Sequence, residues 1–311
     1  MDAALRFPTS PAAVKAAPVM LGKRMSAEQA FTRILGNCLA QIGANVDGVV
    51  RFRDVESLHQ MRVGLRRLRA ALALFDALLP LPLSMATELD WFAGELGAAR
   101  DWDVLLETTL PATVAAMPDP DRGAALTALA RERSGQLHAQ LGALLLAPRY
   151  QHLMAALERW LERRDWRDGL SRERRKLLAA PASELAAAAS RQGQRRLKKR
   201  ARKLRHGGAA AAHRLRLAAK RSRYATEFFL SLLPRRRARA CIAALAQVQD
   251  ALGAMNDAQV ADRLLGELAG AHPEVAQTAA FACGVLAART QADSVNLHAL
   301  AKQVRSVRLP G

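Results

Sequence analysis

Three features of this 311-residue chain predict an all-α fold. Leucine and alanine dominate, β-branched and aromatic residues are scarce, and aromatics make up 5% of the total. Apolar residues recur at helical spacing, and prolines and capping residues divide the chain into helix-length segments. With half of its residues hydrophobic, it has ample material for a core, as one large or two medium domains.

The elements follow in order. Residues 1–25 contain Pro8, Pro11 and Pro18, lack the parts of a signal peptide and read as a flexible tail. Ser26 caps a helix running to about Val46, and Asp54 caps one running to about Leu79, where Pro80 ends it. A third spans Leu83 to Leu96. Asp101 is placed to cap a fourth that ends before Pro118. Two more occupy about Arg122–Leu146 and Pro148–Arg164. The composition then turns polar, so 26–165 reads as a first bundle, 166–180 as a linker and 181–311 as a second bundle. The second bundle restarts near Pro181-Ala182-Ser183-Glu184, runs through Arg205, turns at Gly207-Gly208 and re-enters a helix carrying residues 213–233.

A repeat underlies this division. Leu58-His59-Gln60-Met61-Arg62-Val63-Gly64-Leu65-Arg66-Arg67-Leu68-Arg69 is echoed by Ala212-His213-Arg214-Leu215-Arg216-Leu217-Ala218-Ala219-Lys220-Arg221-Ser222-Arg223, and both run into Leu-Leu-Pro. Leu96-Gly97-Ala98-Ala99-Arg100-Asp101-Trp102-Asp103-Val104 is echoed by Leu252-Gly253-Ala254-Met255-Asn256-Asp257-Ala258-Gln259-Val260. The chain reads as a tandem duplication.

On a helical wheel His59, Arg62, Arg66 and Arg69 share one line, with apolar residues on both flanks, and His213, Arg216, Lys220 and Arg223 repeat the pattern. A solvated charged face would lie opposite the core. Cations between packing residues instead point into a groove, because unpaired charge in a dry core is costly. Arg67, Arg214 and Arg221 point off the line and read as solvated. In the preceding helix Arg191, Arg195, Lys198, Arg202 and Arg205 share a face, which could supply a second cationic wall.

The net charge of +19 is concentrated: residues 191–240 hold eighteen basic residues and one acid, Glu227. Such a stretch cannot be neutralised locally, so polyphosphate, nucleic acid and an acidic membrane surface are the candidate partners. No run of about 18 apolar residues exists to span a membrane. Cys38, Cys241 and Cys283 are odd in number and far apart, which fits a reduced cytoplasm and gives no disulfide or metal framework.

The duplicated H-x-x-R-x-x-x-[RK]-R-x-R helix, Arg223-Tyr224, and the L-G-x-x-x-D-x-x-V segment after each copy resemble the CHAD family, helical domains named for conserved histidines. The resemblance covers about residues 26–305. It implies two related bundles of about four main helices each around a basic channel that binds inorganic polyphosphate, and a cytoplasmic place at polyphosphate granules. Carried over by position, the binding residues are His59, Arg62, Arg66, Arg69, His213, Arg216, Lys220 and Arg223. Asp103 has Gln259 as its counterpart, so a role for that acid does not carry to the second copy.

Each signal has a plainer reading. His59 and His213 could be packing residues bonded to a carbonyl or to Asp101 and Asp257, but their duplication in a cationic line favours phosphate contact. Beside a polyanion their pKa values would rise, so binding would strengthen as pH falls through about 6.5. His138, His152, His206, His272 and His298 read as ordinary helix residues. Trp91, Trp102, Trp160 and Trp166 read as core or boundary. One acid recurring per repeat, Asp101 and Asp257, suits a cap or a salt bridge better than a magnesium site, which needs several convergent carboxylates. The expectation is therefore a non-enzymatic polyphosphate binder with no cofactor or metal. Nucleic acid is the alternative partner, disfavoured by few stacking aromatics and no recognisable binding motif.

Overall fold

The computed structural model describes residues 12–204, 208–294 and 297–310, and among them all regular structure is helical. A lone antiparallel bridge pairs Ser26 with Pro181. Helix α1, Ala27–Gly43, is closed by a capping box between Ser26 and Gln29. It ends short of Val46 because Asn45 turns the chain, its amide donating to the Gln41 and Val14 carbonyls at 2.7 and 2.9 Å. A short α2, Val46–Phe52, then finishes on Arg53 in the left-handed region (φ 50°).

Asp54 caps α3, Val55–Phe75, accepting from the Ser57 amide at 2.7 Å. The helix stops a turn earlier than expected, where the amides of Leu78 and Leu79 close onto the Phe75 carbonyl before Pro80. Helix α4, Leu83–Val104, runs straight through Asp101, so that residue is not a cap. Ala98, Ala99 and Arg100 are good helix formers and nothing interrupts them. The chain loosens only at a π turn, Leu105–Thr109, before α5, Leu110–Val114. Then follow α6 (Pro120–Leu146), α7 (Pro148–Arg163), α8 (Arg172–Ala179), α9 (Ala182–Leu204), α10 (Gly208–Phe228), α11 (Arg235–Ala271), α12 (Ala276–Ser294) and α13 (Leu297–Ser306).

The same neighbour relations occur in each half. Helix α3 packs between α1 and α4 as α10 packs between α9 and α11; α6 lies on α4 as α12 lies on α11, and α7 lies on α1 as α13 lies on α9. The apolar core crosses the middle of the chain: Tyr224, Phe228 and Phe229 join the cluster of Phe31, Leu65, Leu68 and Phe75. Trp160 and Trp166 sit edge-on to Phe31 in that cluster. A further cluster joins Trp102, Leu105 and Leu126 to Leu264, Leu265 and Ala282.

From residue 12 onward the segment expected to be a flexible tail lies along the bundle instead. Val19 and Leu21 are buried, the Leu21 amide donates to the Ser231 hydroxyl at 2.9 Å, and Arg33 and Asn37 bind the carbonyls of Met20 and Ala17. Two apolar anchors and these hydrogen bonds offset the entropy of ordering it.

Candidate functional site: a cationic groove between α3 and α10

Packing of Phe228 and Tyr224 beside α3 sets the two basic helices against each other. Between them open two cavities of about 390 and 540 Å³ that share Arg62, Arg66 and Lys220 in their walls. The first adds His59, Arg216 and Arg100, with Asp101, Leu105, Asn256 and Asp257 from α4, the π turn and α11. The second adds Arg69, Arg221 and the Tyr224 ring among small apolar residues. Together they form a groove whose walls are α3 and α10.

Its charges are unevenly matched. Arg62 reaches Asp101 at 3.3 Å, and its guanidinium donates to the Leu96 carbonyl; Gly97 permits this, since a Cβ there would stand 3.1 Å from Nη1. Asp101 also takes Arg263 at 3.6 Å. Arg69 pairs with exposed Asp90 at 2.5 Å, and Arg223 with Glu227 at 3.2 Å. Arg66, Arg216 and Lys220 have no carboxylate within 4 Å among the described residues, and the Arg66 Nε is buried without a hydrogen-bond partner.

The electrostatic consequence is large. Burial, with Arg66, Arg216, Arg62 and Arg223 around it, pushes the Lys220 ammonium down to about 7. Burial and the same crowding hold Arg62 below the usual guanidinium value against the pull of Asp101. The His59 imidazole is lowered too, first by burial and then by Arg100. Asp101 is raised, chiefly by burial, with Asp257 nearby adding to the effect. The groove's own residues thus shift His59 opposite to the rise expected beside an anion.

The structure brings together His59, Arg62, Arg66, Arg69, Arg216 and Lys220. Arg223 lies over the Tyr224 ring at 5.0 Å and is engaged by Glu227. His213, near the start of α10, is exposed and lines neither cavity; Lys198 and Arg202 are exposed and line neither because α9 packs on α10 away from α3 through Leu197, Ala201 and Leu204. The second cationic wall is therefore α3 rather than α9. Arg205 lies outside the described residues.

One off-line arginine, Arg67, is buried rather than solvated, while Arg214 and Arg221 are exposed as expected. Arg67 is 5% exposed and donates to Gln41 Oε1 at 2.8 Å and Asn37 Oδ1 at 2.7 Å, with its guanidinium 5.5 Å from the Phe228 ring centroid. Arg221 lines the second cavity. Arg100, passed over in the sequence, is a groove cation whose signal was its place in the second echo, directly before Asp101. Behind it Asp103 is buried, 3.8 Å from the Arg100 guanidinium and 2.8 Å from the buried His138 imidazole. No group of three metal-ligating side chains occurs among the described residues.

The CHAD domain family model matches residues 33–266. The chain belongs to the CHAD family. The crystal structure of the CHAD domain from the plant Ricinus communis is 39% identical and superposes with a TM-score of 0.87, over 96% of this chain and 99% of that one. PptA from Streptomyces chartreusis shares the fold at 20% identity and a TM-score of 0.61, over 90% of this chain and 99% of its own. No curated protein matches the chain. As a CHAD domain it is an all-α helical protein, and among its described residues no helix is long and apolar enough to cross a membrane.

Proposed function

We propose that this CHAD domain binds inorganic polyphosphate, without turning it over, along the groove between α3 and α10, and that it does so at polyphosphate granules in the cytoplasm. The observation that carries this reading is the cluster of Arg66, Arg216 and Lys220, cations in a concave site without carboxylate partners among the described residues. Like charges crowded at the edge of the core are destabilising alone, and a bound polyanion removes that cost. Arginine forks donate paired hydrogen bonds to phosphate oxygens, while Lys220 supplies a point charge. Asp101 and Asp257 line the floor, where Asp101 orients Arg62 and Arg263. The tandem duplication read from the sequence is supported by the neighbour relations common to both halves.

A tagged chain in phosphate-loaded cells tests the proposal. The wild type is expected to collect in granules, and the His59→Ala/Arg66→Ala/Lys220→Ala variant, folded by circular dichroism, to spread through the cytoplasm. Granular localisation of the folded variant would refute the groove as the binding site.

A further inference from the structure

The groove accounts for little of the charge in the second half. Of the eighteen basic residues between 191 and 240, only Arg216, Lys220 and Arg221 line either cavity. Helix α9 instead turns Arg191, Arg195, Lys198, Lys199, Arg202 and Lys203 outward, all of them exposed. None has a carboxylate within 4 Å among the described residues, and no acid follows Glu184 on that helix. The row runs from Arg191 to Lys203, twelve rises of 1.5 Å or about 18 Å.

The face extends onto the end of the chain. Gln194 fastens the C-terminal segment to α9, its amide donating to the Val307 carbonyl at 3.0 Å and its oxygen accepting from the Leu309 amide at 2.8 Å. Exposed Arg305 and Arg308 are thereby held beside the α9 row, and α13 carries no acid. An ordinary solvated helix face alternates charges of both signs. This one carries a single sign, which repels itself unless a polyanion covers it.

We propose that the outer face of α9, with the end of α13, is a second polyanion surface that binds duplex nucleic acid through its phosphate backbone. The six cations of α9 are all exposed rather than set in a cavity, so the face is open to a wide duplex. It offers arginines and lysines and no exposed aromatic residue on α9 or α13, a set that reaches phosphates without stacking bases, and so favours duplex over single strands. The inference does not depend on what fills the groove, and it gives one molecule the means to hold two polyanions.

Anisotropy of a fluorescent 20-base-pair DNA duplex over a salt series, paired with calorimetric titration of tripolyphosphate, tests it. The Lys198→Ala/Lys199→Ala/Arg202→Ala/Lys203→Ala variant is expected to bind the duplex at least tenfold more weakly, with its salt dependence flattened by about three to four in log–log slope. Its tripolyphosphate affinity should stay within twofold of wild type. The Arg66→Ala/Lys220→Ala variant should show the reverse. Duplex binding unchanged by the outer substitutions, or lost equally with the groove substitutions, would overturn the second surface. Failure of tripolyphosphate to distinguish the groove variant from wild type would strike only the groove reading.

Discussion

Lys220 is the residue where the groove's physics is most exposed. Its ammonium is brought down to about 7 by burial and four arginines, so near neutral pH the free protein holds a mixture of charged and neutral lysine. An anion stabilises the charged form, which puts the pKa of the complex above that of the free protein. Polyphosphate affinity should then be full below about pH 7 and fall by up to tenfold per unit as pH rises above it, with proton uptake on binding. The sign reverses for the stability of the free protein. The unfolded chain has an ordinary lysine near 10.4 and holds more protons than the folded one between about 7 and 10.4, so the Lys220 contribution improves as pH rises through that window. Titration calorimetry in buffers of different ionisation enthalpy reads the uptake directly. Lys220→Met should abolish it and flatten the pH dependence; an unchanged uptake in that variant would place the proton on another group. His59, held below its usual value by burial and Arg100, contributes at lower pH.

Among the helices, what the wheel could reveal stopped at each helix's own axis. It placed His59, Arg62, Arg66 and Arg69 on one line, and α3 presents them that way to the groove. It put Arg67 off that line, and off the line meant toward α1, where Gln41 and Asn37 wait, rather than toward water. The basic face of α9 was equally legible, but whether it met α3 or solvent depended on Leu197 and Leu204 docking on α10. Asp101 carried both a capping and a salt-bridge signal, and only the uninterrupted helix α4 decides between them. The α1–α3 crossing depends on Gly64: a Cβ there would lie 2.9 Å from Ile42 Cγ1 and 3.3 Å from the Ile42 amide nitrogen. Gly64→Val should therefore destabilise by about 1–3 kcal/mol through overpacking. Gly94→Ala, on exposed α4 surface with nothing within 4 Å, should gain up to about 1 kcal/mol of helix propensity. Urea denaturation of both variants checks the contrast, and equal behaviour would remove the close crossing as the reason for glycine at 64.

For the molecule as a whole, the two halves make the site only together. Arg62 and Arg66 come from one and Arg216 and Lys220 from the other, held face to face by a core that runs from Phe75 to Phe228. The clustering of charge after residue 190 was plain in the sequence, but its division between groove and exterior was set by tertiary packing. A groove of this kind rewards a ligand for spanning several cations at once, which separates a linear polyphosphate from any small phosphate. Calorimetric titration of the wild type and of Arg66→Ala/Lys220→Ala with orthophosphate, tripolyphosphate and long-chain polyphosphate at fixed salt measures this most directly. Wild-type affinity should climb with chain length until the groove is filled, fall steeply with added salt, and drop at least tenfold in the variant. Equal affinity for orthophosphate and long chains, or a folded variant that binds long chains as tightly as wild type, would contradict the groove as a polyphosphate site.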